Sequence, residues 1–237
     1  MKVIELNGVS HSFGNIKVLE DINLSVDKGE VFGLLGPSGS GKTTLVRIMT
    51  GMIVPDEGRV RLRDQEMPKR SLMKRFGYMA QEDALYQELT AWENLDFFAS
   101  FYLRKKKKER MEHVLHITGL TEYKERPVFK FSGGMKRRLS LAIALVHNPD
   151  ILILDEPTTG LDPVLRRSIW SEFYQLKENG KTILITTHAL DEAEKCDRLA
   201  MLRGGKVIAA GSPGEWKKEL RTDSLEDVFL HYGGGDI

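Results

Sequence analysis

The stretch Gly36-Pro37-Ser38-Gly39-Ser40-Gly41-Lys42-Thr43 lies between an apolar run, Val31–Leu35, and a helical stretch, Thr43–Thr50. A glycine-rich loop that leaves an apolar strand and enters a helix commits the chain to a strand–loop–helix unit. Its glycines let backbone N–H groups converge on phosphate oxygens, and the helix N-terminus adds partial positive charge. The pattern G-x-x-x-x-G-K-[ST] in that context cradles a phosphate chain. Lys42 is expected to reach the β- and γ-phosphates and Thr43 to offer its hydroxyl to Mg²⁺.

Other short apolar runs read as strands: Val3–Leu6, Leu19–Val26, Phe76–Ala80, Ile151–Leu154 and Thr182–Thr187. Leu199–Leu202 and Val207–Ala210 flank Gly204-Gly205 as a hairpin. Helical spacing marks Ala91–Leu103, Met135–His147 and Asp162–Glu178, the last with Pro163 in its first turn. Alternating apolar strands and helices imply an α/β fold with a mostly parallel sheet. The stretch from about Glu82 to Lys130 has no convincing strand and reads as a helical insertion. The residues after Ser212 read as a small helical appendage.

Composition narrows the class. With 35 basic and 34 acidic residues the net charge is +1, so no broad electrostatic attraction to nucleic acid is expected. Nowhere do about 18 apolar residues run uninterrupted, so a membrane role requires docking onto another chain. The N-terminus turns polar too early for a secretory segment. The single cysteine, Cys196, excludes an intrachain disulfide and fits a reducing compartment.

A second signal is Ile151-Leu152-Ile153-Leu154-Asp155-Glu156, an apolar strand from which two carboxylates emerge. Phosphoryl transfer needs an acid to hold Mg²⁺, a role for Asp155, and a group to orient the attacking water, a role for Glu156. Gln81 follows the Phe76–Ala80 run and His188 follows Thr182–Thr187. In an open α/β sheet, ligands bind outside the carboxyl ends of the strands, so these groups and the Gly36 loop are expected to line one pocket. Gln81 would touch Mg²⁺ or the water, and His188 the γ-phosphate. A third signal, Phe131-Ser132-Gly133-Gly134-Met135, heads a helix with Ser132 as N-cap. Its bare amides suit an anion presented by a second copy of the chain.

Together these elements resemble the ATP-binding cassette (ABC) family over residues 2–211. The order is a phosphate loop (Gly36, Pro37, Ser38, Gly39, Ser40, Gly41, Lys42, Thr43, Thr44), a Q-loop glutamine (Gln81), a signature (Phe131–Met135), and a Walker B strand with Glu156. A D-loop (Gly160-Leu161-Asp162) and a switch histidine (His188) follow. The resemblance implies a P-loop NTPase core, an N-terminal antiparallel β-subdomain and an inserted α-helical subdomain, about 82–145, within an ATP-binding domain 1–211, followed by a helical tail 212–237. It implies Mg²⁺-dependent ATP hydrolysis in a head-to-tail dimer. Each ATP would be held by Lys42 and Thr43 of one chain and by Ser132, Gly133 and Gly134 of the other, with Asp162 also at the nucleotide and Phe13 stacked on adenine. A separate membrane subunit is implied, placing the chain at the cytoplasmic face of a membrane, with no nucleic-acid partner. The signature departs from the family pattern at Phe131, where leucine is usual, and at Met135, where glutamine is usual. Gly77–Tyr86 and Ser224–Phe229 resemble the branch serving ABC-2-type exporters.

A soluble ABC ATPase acting on DNA or ribosomes is the alternative. The span from Lys42 to Ser132 leaves no room for the long coiled coil of the repair members, and a single cassette does not match the translation factors. A small-molecule kinase would need neither Ser132-Gly133-Gly134 nor His188. Arg104–Lys108, five consecutive positive charges, suits either a solvated helix face or anionic lipid headgroups. Trp92, Phe97, Phe98, Phe101 and Tyr102 are expected to be mostly core of the insertion, the remainder available for docking a partner.

Overall fold

Runs of four to six apolar residues are too short for helices and become strands buried along their whole length. The computed structural model describes residues 1–82 and 84–233; Asp83, within the Gly77–Tyr86 stretch, and residues 234–237 of the tail lie outside them. The chain divides into two units, one of Met1–Met73 with Thr182–Ile237 and one of Lys74–Lys181.

In the first unit, β1 (Lys2–Phe13) and β2 (Ile16–Asp27) pair antiparallel with Phe13 opposite Ile16. Then come β3 (Val31–Leu35), α1 (Lys42–Met49), β4 (Glu57–Leu62) and β5 (Gln65–Glu66). An antiparallel sheet runs in the order β2-β1-β4-β5. Both N-terminal strands extend well beyond the apolar runs that announce them, because each continues through polar residues on its exposed face. β4 is absent from the sequence reading for the same reason: it buries Val60 and Leu62 among charged neighbours.

The same unit holds β8 (Thr182–Thr187), α6 (Leu190–Ala193), and the hairpin of β9 (Arg198–Arg203) with β10 (Lys206–Gly211). β3 lies parallel to β8 on one side and to β9 on the other. α7 (Pro213–Leu220) and α8 (Leu225–Gly233) close the chain. Trp216, Leu225 and Val228 join Leu35, Ala193, Leu199 and Met201 in one apolar cluster, so the tail helices are part of this unit's core.

In the second unit, β6 (Phe76–Met79) lies parallel to β7 (Ile151–Asp155). Among the described residues four α-helices accompany them: α2 (Ala91–Ser100), α3 (Lys107–Ile117), α4 (Gly133–Leu145) and α5 (Pro163–Glu178). α2 starts in a capping box. Thr90 Oγ1 accepts from Glu93 N at 3.1 Å, and the Glu93 carboxylate accepts from Thr90 N at 2.8 Å. The backbone bond from Thr90, then its hydroxyl, holds the Glu93 carboxyl below the usual carboxylate range. α3 and α4 cap each other. Arg110 donates to Leu145 O and Val146 O at the end of α4, and Arg138 donates to Thr118 O and Gly119 O at the end of α3. No helix among the described residues is long and apolar enough to cross a membrane.

The aromatic residues of α2 correct the sequence expectation. The buried face of α2 is Ala91, Asn94, Leu95 and Ala99. Phe97, Phe101 and Tyr102 are exposed, and Trp92 and Phe98 are partly so. The helical period puts the small residues inward and leaves the rings outside, where Phe97 meets Tyr86, Phe98 and Phe101 edge to face. In the basic run, Lys107 is tied to Asp96 at 2.6 Å and to Ser100, whereas Arg104, Lys105, Lys106 and Lys108 are exposed.

Asn94 is 0% exposed. Its side chain accepts from Tyr86 N at 2.9 Å and donates to Tyr86 O at 3.0 Å and Thr90 O at 2.9 Å. Replacing it takes the acceptor from Tyr86 N and removes a buried side chain's hydrogen bonds to two carbonyls, so Asn94→Ala is expected to lower stability by about 2 kcal/mol in urea unfolding. His147 stacks on Tyr102 at 4.2 Å, and burial lowers its pKa. The folded state therefore resists a proton that the unfolded chain accepts. Stability is expected to fall as pH drops through about 6.5, and melting curves of His147→Gln should show a flatter decline.

Candidate nucleotide-binding and catalytic site

The first unit supplies the glycine-rich loop and His188. Leu35 at the end of β3 is in register with Thr187 at the end of β8, and Gly36 N donates to Thr187 O at 3.3 Å. The loop and His188 thus leave adjacent parallel strand ends. Pro37, Ser38 and Gly39 form the exposed arc of the loop, and Ser40 and Lys42 are buried. Lys42 Nζ donates to Gly36 O at 2.7 Å and to Pro37 O at 3.0 Å, which holds the ammonium against the loop.

The loop is shaped for close approach. A Cβ on Gly36 would stand 2.3 Å from Leu202 O, and one on Gly41 would stand 2.7 Å from Leu19 Cδ2. Gly41 has φ 102°, a left-handed backbone, and is the N-cap of α1 without a side-chain cap. Thr43 and Thr44 follow in the first turn, half-buried. Ser40 Oγ, buried, has no hydrogen-bond partner among the described residues. A buried hydroxyl without a protein partner is costly, and a phosphate oxygen would satisfy it. The cradle fits a phosphate chain.

Beyond β8, the Thr187 hydroxyl donates to the Glu192 carboxylate at 2.8 Å and accepts from Ala189 N at 3.0 Å. These bonds fix the chain on both sides of His188, whose ring is exposed. Phe13 is 51% exposed and meets His11 edge to face at 4.8 Å, so it presents a ring face instead of packing in the core.

The second unit supplies Gln81 and the carboxylates. Met79 at the end of β6 is in register with Leu154 of β7, so Gln81 and the Asp155-Glu156 pair also leave adjacent strand ends. Asp155 is 0% exposed and Gln81 is exposed. Glu156 has φ 51°, a left-handed conformation rare for a residue with a side chain. Thr159 Oγ1 donates to its carboxylate at 3.3 Å.

Ser132 caps α4 by accepting from Met135 N at 3.3 Å, and Gly133 has open space where a Cβ would be. Phe131 and Met135, the two departures in this motif, are both buried. They anchor the helix start from below, while Ser132 and Gly133 are exposed and Gly134 half-buried. Asp162 Oδ1 caps α5 by accepting from Leu165 N at 3.0 Å.

Sequence reasoning missed Arg137. Its guanidinium, buried, donates to backbone carbonyls of Ala80, Gln81, Asp155 and Glu156. In sequence it is one of three consecutive basic residues on a helix, and no spacing distinguishes it from its neighbours. Oxygen donors for a hard cation are Thr43 in the first unit and Gln81 and Asp155 in the second. No group of three or more His, Cys, Asp or Glu able to hold a metal occurs among the described residues. The Thr43 hydroxyl in its unit, and the Asp155 carboxylate beside Gln81 in the other, are each of the oxygen-donor chemistry that Mg²⁺ takes.

Comparison with known proteins agrees with this geometry. The model of the family described as ABC transporter matches residues 19–159. The chain is 39% identical over 232 residues to the "Probable multidrug ABC transporter ATP-binding protein YbhF" of Escherichia coli, covering 96% of this chain and 40% of that protein. It is 44% identical over 231 residues to the "Nod factor export ATP-binding protein I" of a Rhizobium species, covering 95% of this chain and 76% of that one. It therefore spans less than half the length of some curated relatives and about three quarters of others. Among solved structures, an ATP-binding subunit of an ABC transporter superposes with TM-score 0.90 at 28% identity, covering 98% of this chain and 99% of that one. A dimeric post-hydrolysis ATP-binding cassette bound to ADP and Pi gives 0.83 at 28% identity, covering 88% and 98%. With the phosphate loop, the strand-end carboxylates and the glycine-headed α4 all in place, the chain belongs to the ABC transporter family.

Proposed function

We propose that this chain is the ATP-binding and ATP-hydrolysing subunit of a membrane exporter whose spanning part is a separate polypeptide. The observation that carries this reading is the phosphate cradle: a bare α1 N-terminus, Lys42 fixed over the loop, and a buried Ser40 hydroxyl suited to a phosphate oxygen. Lys42 and the loop amides bind the phosphates. Thr43, Asp155 and Gln81 would hold Mg²⁺, which would supply neutralisation of the charge developing on the phosphoryl oxygens. Glu156 orients the attacking water, and His188 hydrogen-bonds the γ-phosphate. Phe13 stacks on adenine.

Ser132, Gly133, Gly134 and Asp162 serve ATP held by a second cassette. The cassette dimer bound to ADP and Pi supports this pairing and the hydrolytic role. Relatives named for multidrug transport and Nod factor export support an export role, and the stretches Gly77–Tyr86 and Ser224–Phe229 are our ground for a membrane chain of the ABC-2 type. The exposed rings of Phe97, Phe101 and Tyr102 suit that chain as its docking surface, at the cytoplasmic side of the membrane.

The test is steady-state hydrolysis and size-exclusion chromatography of purified protein beside Glu156→Gln. Wild type is expected to hydrolyse ATP with Mg²⁺ and to stop when EDTA removes it. Glu156→Gln should bind ATP, lose turnover by about a hundredfold or more, and shift from monomer to dimer on adding ATP. Normal turnover in the variant would sink the role of Glu156. Lys42→Ala is expected to lose ATP binding itself, read by titration with a fluorescent nucleotide.

A further inference from the structure

We propose that Arg137 is a positioning residue that fixes the catalytic Glu156, together with Gln81, to helix α4; this rests on the role given to Glu156 above. A guanidinium carries five N–H donors in a rigid planar fork. All five have carbonyl partners. Nη1 donates to Ala80 O and Gln81 O, each at 2.8 Å. Nε donates to Glu156 O at 3.2 Å, and Nη2 donates to both Asp155 O and Glu156 O. Ala80, Gln81 and Glu156 lie just past the ends of β6 and β7, and Asp155 is the last residue of β7. Arg137 is 6% exposed, so these bonds form away from bulk water, where they are strongest.

The turn so held is an unfavourable one. Glu156 sits at φ 51°, and such a conformation persists at a residue with a side chain when surrounding bonds over-determine it. Its carbonyl accepts from Arg137 twice and from Thr159 N at 3.4 Å. Fixing that carbonyl fixes the Glu156 backbone and with it the origin of the carboxylate. Arg137 lies one turn along α4 from Gly133, the exposed helix start assigned to the second cassette's nucleotide. A shift of that helix start is therefore delivered through one guanidinium to both Gln81 and Glu156. Lysine cannot substitute, because an ammonium is a point donor with three protons and cannot span four carbonyls in a plane.

The test is a double-mutant cycle on the purified full-length chain, with Arg137→Lys, Arg137→Met, Glu156→Gln and the Arg137→Met/Glu156→Gln pair. Arg137→Lys and Arg137→Met are expected to lower kcat about tenfold or more, as a misplaced catalytic group does, with KM for ATP changed by less than about twofold. In single-turnover assays the pair is expected to hydrolyse ATP at the residual rate of Glu156→Gln alone, because Arg137 acts through Glu156. If Arg137→Met does not fold, Arg137→Lys replaces it in the cycle. Wild-type kcat in Arg137→Lys would overturn the proposal, as would a further loss in the pair equal to that of the single arginine variant. Should Glu156→Gln itself turn over normally, the catalytic assignment fails first and this inference with it. A dead Glu156→Gln beside a fully active Arg137→Lys removes this inference alone.

Discussion

A strand buried on both faces has no room for a charged side chain except at its end. β3, β7 and β8 are buried along their entire lengths. The candidate groups of these strands consequently gather at their ends: Gly36 and its loop after β3, Asp155 as the last residue of β7 with Glu156 after it, and His188 after β8. Parallel pairing then aligns those ends. Leu35 sits opposite Thr187 in one unit and Met79 opposite Leu154 in the other, so the functional residues leave their strands in matched pairs. The placement of the candidate groups depends on this registration.

That dependence explains what could be read from sequence. Val31–Leu35 is rich in apolar residues and Thr182–Thr187 in β-branched ones, and their boundaries can be found to within a residue. The loop residues Gly36 to Thr44 follow a spacing set by the size of a phosphate. Ser132 is visible as an N-cap because capping chemistry is local. What stayed hidden depends on tertiary partners. β4 is a strand because β1 needs a neighbour, not because Arg59 and Arg61 favour one. Arg137 draws its proposed role from four carbonyls at two strand ends that converge on it, a convergence with no local signature. The rings of α2 were misjudged because helical spacing fixes which residues share a face but not which face is buried, and here the small residues took the inside.

The departures at Phe131 and Met135 fall into the same frame. Both side chains are buried under the helix start, whereas the exposed Ser132 and Gly133 present the hydroxyl and the amides. Changing the anchors therefore alters how α4 is seated without altering what it offers to an anion. Methionine, unbranched and adaptable, fills such a seat readily.

The crossed caps of α3 and α4 have a mechanical consequence. Arg110 on one helix closes the end of the other, and Arg138 returns the bond. Helix ends are normally the soft points at which a bundle frays under load. Here fraying either end takes the partner's arginine with it, so the two helices yield together or not at all. The pair behaves as a braced strut, and a displacement applied to one member arrives at the other with little lost to bending.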